Sequence, residues 1–470
     1  MSKPTPATVK TLLAQLPPGD PIAAGVLAER LGVNRMALSR LVARAGDQVV
    51  RIGQTRSTAY AARHVTSAGS QWPLYRLRPD ATLEALGELH ALTGDTFHFQ
   101  SNAVRPNLTR SPDGDVPAFF PGLPWYLDEL RPQGFLGRTF AHRAARSLGV
   151  PNDLNRWQLS DTLLALVNAG GTQSGDLLLG GAAAQQALQR LESPPDSMAV
   201  HERIREYPRR ALAALEGEEV GSSPVGEQPK FTATLEQDGM RRAVLVKFAQ
   251  QGAGGAGDAA ERWADLLACE HLALETLRAA GMVASVTSLL TTDTHTFLEV
   301  ERFDRTPDLL GRHGFVSLSA LSSAFTGEAS REWTGAGGLL QAQGWLTSET
   351  LEAIGRLQAF GRLIGNTDMH QGNLGFHLVD SGPLSLAPAY DMLPMSLAPS
   401  RTGILRPVSG LQPPAPDSSR DLAHLQWAAP LARQFWERVA ASPLIRSSTV
   451  RDLAAENARR VGVLGRQFGG

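Results

Sequence analysis

The sequence predicts an α+β protein with a two-lobed body, strands first and helices after, behind a small basic head. Three observations predict it. The 470 residues suffice for about three folding units at roughly 150 residues each. The first 63 residues hold nine Arg or Lys against three acids, a net +6, while the remaining 407 carry −7. From Phe231 onward the apolar pattern runs as short strands and, beyond Gly311, as helices, an order that builds a sheet-rich lobe facing a helical one. Over the whole chain 45 basic residues balance 46 acidic ones, so attraction to nucleic acid or membrane must be local. The one cysteine, Cys269, cannot form an internal disulfide and excludes a Cys-rich zinc cluster, which fits a reducing compartment. Residues 1–10 lack a signal-peptide core and no apolar run approaches the ~18 residues that span a bilayer. The expectation is a cytoplasmic protein with no membrane partner.

In the head, residues 26–31 form a short apolar-faced helix, Gly32-Val33 makes a tight turn, and Asn34 can cap a second helix reaching about Ala45. This is helix-turn-helix spacing. Ala37, Leu38, Leu41 and Val42 face inward, leaving Asn34, Arg35, Ser39, Arg40 and Arg44 for a major groove or its phosphates. Residues 48–52 and 58–62 alternate as two strands joined by Gly53-Gln54-Thr55-Arg56, the wing of a winged helix, with Arg56 a further phosphate contact. Residues 1–65 are therefore expected to be a winged helix-turn-helix domain that binds double-stranded DNA. A helical cap with solvated arginines, or a winged helix that binds a protein, competes with that reading.

Residues 66–217 mix Pro-rich loops with helices over 154–169 and 182–191, a scaffold in which Asp153, Asp161 and His142 read as caps and surface. Residues 218–310 carry the strands: 231–235, a turn at Gln237-Asp238-Gly239, 243–248, then a Gly-rich loop, a helix over 259–280, and strands over 283–290 and 296–302. Residues 311–470 are helical, interrupted by a strand-like 378–386 and a Pro-rich loop over 406–416.

The chemistry concentrates in Gly365-Asn366-Thr367-Asp368-Met369-His370-Gln371-Gly372-Asn373. Asp368 and Asn373 have the D-x-x-x-x-N spacing of phosphotransferases, in which the carboxylate orients or deprotonates the acceptor hydroxyl and the amide oxygen helps hold Mg2+. Asp391, 18 residues beyond Asn373, supplies the carboxylate that a hard cation bridging phosphates requires. The chain has 41 Arg but only four Lys; Lys247 lies on a strand in an apolar run, where its charge needs phosphates or a carboxylate beside it. Glu270 on the following helix is the favoured partner over Glu261 and Glu275. Ser222-Ser223-Pro224-Val225-Gly226-Glu227-Gln228-Pro229-Lys230 has the small and polar residues of a loop lying over nucleotide phosphates, with Gly226, Gln228 and Lys230 in contact. Glu301 and Phe303 offer main-chain groups to adenine, and Asp304 lies near the ribose. His370 reads as a structural loop residue. The ordered set predicts an ATP- and Mg2+-dependent phosphotransferase.

On these residues the segment from Ser222 to Asp391 resembles the HipA family of bacterial toxin kinases. The resemblance is carried by Val225 to Lys230, Lys247, Cys269-Glu270-His271, Val300-Glu301-Arg302-Phe303-Asp304-Arg305, Asn366-Thr367-Asp368 with His370 and Asn373, and Tyr390-Asp391. The head and the run Asp391-Met392-Leu393-Pro394-Met395 are most similar to its YjjJ subgroup. The resemblance implies a fold related to phosphoinositide kinases and a serine/threonine protein kinase, with Asp368 as base, Asn373 and Asp391 as metal ligands and Lys247 as phosphate clamp. It also implies autophosphorylation at Ser223 or the adjoining Ser222, a protein substrate such as an aminoacyl-tRNA synthetase, and restraint by an antitoxin. The fused head departs from that last arrangement and points to restraint or autoregulation in cis. Two other readings stay open: a small-molecule kinase with a similar loop, and a transcription regulator that senses nucleotide without transferring phosphate.

Overall fold

A computed structural model describes residues 7–53, 57–112, 118–216, 228–250, 257–308, 310–327, 332–400, 404–405, 410–412 and 414–469. In the head, helices Val9–Ala14, Ala24–Arg30 and Arg35–Ala45 pack on a three-stranded sheet in the order Ile22–Ala23, Ala59–Ala62, Val49–Ile52. Leu12, Leu27, Leu38, Leu41 and Tyr60 form its core. Asn34 begins the third helix by accepting the Ala37 N–H at 2.9 Å, and Gly46 ends it at φ +54°. The two expected strands pair antiparallel, Val50 opposite Ala61.

The segment expected to be loops and helices instead contains a five-stranded antiparallel sheet, in the order Phe119–Pro121, Thr96–Ser101, Leu83–Leu92, Gln71–Leu77, Leu177–Leu179. Leu89 to Leu92 and Thr96 to Phe99 are buried residue after residue, so the two-residue alternation that announces a half-exposed strand is absent. Pro73 sits inside another strand, where proline argues against one. The helices Leu159–Asn168 and Gly181–Glu192 match the expected ones. Asp153 and Asp161 accept main-chain N–H groups at helix starts, at 3.0 and 2.8 Å.

The head's sheet runs into this one. Arg63 bridges Leu92, Thr93 N–H donates to the Ala62 carbonyl and His64 N–H to Ala91, both at 3.0 Å. Val50, Ile52 and Ala61 pack on Leu92.

The next sheet has the order Thr287–Thr291, His295–Glu301, Met240–Gln250, Lys230–Gln237, Ser197–Ala199. Its last pairing is parallel. That strand and the helix Arg203–Glu216, whose Tyr207 and Ala211 pack with Phe231, Val246 and Phe297, bring residues before 217 into the lobe expected to start at 218. The helix Gly257–Ala279 covers the other face through Ala264 and Leu267 against Leu298 and Val300.

The C-terminal lobe is built from helices Leu318–Phe325, Trp333–Ala342, Ser348–Leu363, Ser419–Ala441 and Ser448–Gly469, with a small sheet of Val316–Ser317, Gly375–His377 and Ser385–Leu386. The strand expected over 378–386 shrinks to Ser385–Leu386. Between the two short strands Gly382 turns at φ +79°, and the Asp380 carboxylate pairs with Arg76 at 2.6 Å and with Arg105, fixing the loop to the middle sheet. One hydrophobic core joins Trp72, Phe99 and Tyr126 of the middle segment to Leu318, Trp345, Phe360 and Trp436 of this lobe. Among the described residues no helix is long and apolar enough to cross a membrane.

Candidate active site

Lys247 stands opposite Lys230 in the hairpin and is 4% exposed. Its ammonium lies 2.7 and 2.8 Å from the two Glu270 oxygens and also contacts the Asp391 carboxylate. Glu275 pairs instead with Arg278 at 2.9 Å. Burial opposes the Lys247 charge, but Asp391 and Glu270 outweigh it and hold its pKa above the ordinary lysine value. Burial also pushes Glu270 up against the pull of Lys247. Burial raises Asp391 too, yet Lys247 and Lys230 bring it down to about 2. One ammonium serves two carboxylates, with Lys230 adding a further positive charge toward Asp391, in a site that could not hold one charge alone.

The loop after the helix Ser348–Leu363 is tied to the segment bearing Asp391. Asn366 accepts the Asp368 N–H at 3.1 Å and donates to the Asp391 carbonyl at 3.3 Å. Asn373 donates its amide N–H to the Asp368 carbonyl at 2.9 Å, and the Tyr390 hydroxyl donates to the Gly372 carbonyl at 2.8 Å. His370 braces the turn: its Nδ1 accepts the Gly372 N–H at 3.1 Å, and its carbonyl accepts the Trp333 indole N–H at 3.0 Å. Asp391 itself holds φ +52°, a left-handed conformation uncommon outside glycine and concentrated at functional sites.

This loop separates two openings. On one side a cleft of about 270 Å³ is lined by Lys230, Lys247, Glu301, Phe303, Asp304, Gly372, Tyr390 and Asp391. Leu245 and Val300 supply an apolar wall, and Phe303 stacks on Tyr390 with ring centres 5.9 Å apart and planes at 28°. On the other side a groove of about 900 Å³ is lined by Asp368, His370, Trp333 and Gln358; Asp368 is exposed there.

Several expected contacts differ in detail. The Asp304 carboxylate pairs with Arg302 and Arg305, each at 2.8 Å, and accepts the Gly175 N–H at 2.9 Å, so it braces the cleft wall and is not a free ribose acceptor. The Glu301 N–H donates to the Val286 carbonyl at 2.8 Å, which assigns that group to the sheet and not to adenine. Gln228 donates its amide to the Phe248 carbonyl. Gly226, Ser222, Ser223 and Arg56 lie outside the described residues. In the head Arg35, Ser39, Arg40 and Arg44 are exposed, whereas the Asn34 side-chain oxygen is engaged as a cap.

Sequence reasoning missed the middle segment's share of the cleft: Glu129, Leu136, Thr172 and Ser174. Glu129 accepts the Ser317 N–H at 2.9 Å and its hydroxyl at 2.5 Å, and burial pushes its carboxyl up to about 7 despite those bonds. The available signal was the one that exposed Lys247: a charge inside an apolar run, here Trp125 to Leu130.

The donor set suits a magnesium ion bound together with phosphates. Among the described residues no three His, Cys, Asp or Glu side chains gather as a closed cage, and Mg2+ characteristically takes one or two protein carboxylates and completes its shell from phosphates and water. The Asp391 carboxylate carries a cation already, the Lys247 ammonium; Asn373 gives its N–H to the Asp368 carbonyl, and its amide oxygen is the group that would hold a metal.

Residues 68–188 match the family described as YjjJ-like toxin, middle domain, and residues 222–456 the HipA-like C-terminal domain. The Escherichia coli K12 protein named Toxin YjjJ is 37% identical over 448 residues, 94% of this chain and 95% of its own. Among solved structures, HipA of Shewanella oneidensis, determined with HipB and operator DNA, aligns with a TM-score of 0.51 at 15% identity, over 84% of this chain and 97% of its own; at that identity the likeness is one of fold. With a relative this similar along nearly its whole length, the chain belongs to the family of YjjJ-like toxins with a HipA-like C-terminal domain.

Proposed function

We propose that this protein is an ATP- and Mg2+-dependent serine/threonine protein kinase of the HipA toxin type, fused to a winged helix-turn-helix domain that binds double-stranded DNA. The observation that carries the kinase reading is the Lys247 ammonium held between Glu270 and Asp391, with the Asp391 carbonyl tied by Asn366 to a loop whose Asp368 opens on a separate groove. Phosphoryl transfer needs the γ-phosphate and the acceptor hydroxyl to meet in line beside Asp368, the nucleotide entering from the cleft and the acceptor from the groove.

In this reading adenine lies between Leu245, Val300 and the Phe303–Tyr390 pair. Lys230 and Lys247 hold the phosphates. Asp391 and Asn373 would hold Mg2+, which when bound neutralises phosphate charge. Asp368 orients the acceptor hydroxyl and takes its proton as the new bond to the γ-phosphorus forms and the bond to the leaving ADP oxygen breaks. The groove of about 900 Å³ beside Asp368 supports a polypeptide acceptor over a small molecule. An aminoacyl-tRNA synthetase is the proposed cellular target and Ser223, with Ser222, the autophosphorylation site; phosphate there would repel the bound nucleotide. The head takes the place of a separate DNA-binding antitoxin.

Purified protein incubated with labelled ATP and Mg2+ tests this. Label on Ser222 or Ser223 that disappears in Asp368→Ala supports the proposal. ATP binding with no transfer to any protein favours the nucleotide-sensing regulator, and label on a small molecule alone favours the small-molecule kinase.

A further inference from the structure

Beside the cleft wall at Arg302 lies a second, smaller cavity of about 40 Å³, lined by Arg190, Arg302, Arg305 and Arg312 with Asp196. The acids do not balance the arginines. Asp196 pairs with Arg190 at 2.9 Å, and Asp304 is shared between Arg302 and Arg305. Asp304 and, more weakly, Asp176 act on Arg312, and Asp176 is itself paired to Arg76 at 2.8 Å. Arg312 is 2% exposed. Its Nη2 donates to the Gly170 and Gly171 carbonyls at 2.7 and 3.2 Å, while its buried Nη1 has no hydrogen-bond partner.

A buried guanidinium nitrogen without a partner, on a side chain that lines one pocket with three more arginines, is a configuration that folded proteins avoid unless something completes it. Burial, joined by repulsion from Arg302, pushes Arg305 well below its ordinary pKa and Arg312 down to about 10. The volume corresponds to about three water-sized sites, the scale of a tetrahedral oxyanion. Guanidinium forks match the oxygen pairs of such an ion.

We propose that this pocket binds a small tetrahedral oxyanion of the phosphate type, and that its occupancy clasps residues 170–175 against Arg302, Arg305 and Arg312. That loop is held by the same arginines: Arg302 donates to the Thr172 and Gln173 carbonyls at 3.2 and 3.1 Å, and Arg305 to Gln173 at 2.6 Å. Thr172 and Ser174 of the loop also line the cleft that holds Lys247. The site adjoins that cleft, sharing Arg302, Thr172 and Thr232 with it, and does not depend on phosphate transfer.

Titration calorimetry of the full chain with inorganic phosphate, with chloride at matched ionic strength as control, tests the proposal. The expected result is saturable binding of one phosphate that survives Lys247→Met and weakens about tenfold or more in Arg190→Gln. Arg190 lies at the pocket's edge with a side chain 25% exposed, so its variant keeps the fold where Arg312→Gln risks losing it. Phosphoserine titrated in parallel separates two sources of the same chemistry: tighter binding than phosphate assigns the pocket to a phosphorylated segment, weaker binding to the free ion. Absence of saturable binding beyond chloride overturns the proposal. So does binding lost in Lys247→Met and kept in Arg190→Gln, because the ion would then sit in the cleft.

Discussion

At the scale of the residue, the three-charge cluster and Glu129 each lead to a measurable consequence. Lys247→Met leaves Glu270, 1% exposed, without its cation, at a cost of about 3–5 kcal/mol when one partner of a buried pair is removed. Adding Glu270→Gln removes the orphaned charge. The double variant is expected to regain most of the lost thermal stability while phosphate transfer stays down by about 100-fold or more; recovery of transfer in the double variant would show that the ammonium does not hold phosphates. Glu129 behaves differently. Burial keeps its proton to about pH 7 in the folded chain, against an ordinary value of 4.5. As pH rises the unfolded state therefore ionises first, so Glu129 lowers stability progressively between those two values, with no further change above them. Melting curves of wild type and Glu129→Gln between about pH 5 and about pH 8 should separate progressively in favour of the variant, and a constant separation contradicts this reading of the site.

At the scale of the element, the helix Ser348–Leu363 delivers the catalytic-looking loop, and its packing leaves no spare room. A Cβ on Gly355 would come within 2.1 Å of the His424 ring, which is 4% exposed and held by Glu352 at 3.0 Å. Gly355→Ala is expected to destabilise the chain by about 1–3 kcal/mol through overpacking, read as a lower melting temperature; an unchanged value would mean the two helices can part freely. Legibility followed the physics of each element. Two of the head's helices were readable because they bury one face and expose the other, and because Asn34 is a residue type that starts helices; the helix Val9–Ala14 and the strand Ile22–Ala23 were not read. The hairpin bearing Lys247 and the loop bearing Asp368 were readable from alternation and from motif spacing. The middle sheet was not, since strands covered on both faces lose their alternation, and Pro73 interrupts one of them. The Asp304 pairing with its sequence neighbours Arg302 and Arg305 was within reach of the sequence and was missed; only its Gly175 contact, 129 positions away, lay beyond local reading.

At the scale of the whole molecule, head and body are joined through a shared sheet edge, Arg63 against Leu92, and the middle segment shares one core with the helical lobe. The exposed Arg35 and Arg40 are thus carried on a head fixed to the body. If they meet phosphates, the double change to Ala should weaken DNA binding and reduce the salt slope by about two, one counterion each; an unaltered slope would assign that face to a protein partner. The proposed activity requires Lys247, Asp391 and Asn373 to converge around a metal-bound triphosphate, with Asp368 reaching the acceptor. The most direct test is to measure ATP affinity and phosphate transfer together in Asp368→Ala in the presence of Mg2+. ATP should bind this variant as tightly as it binds wild type, while transfer falls by a factor of about 100 or more. Transfer at the wild-type rate would contradict the assignment, as would loss of ATP binding along with activity.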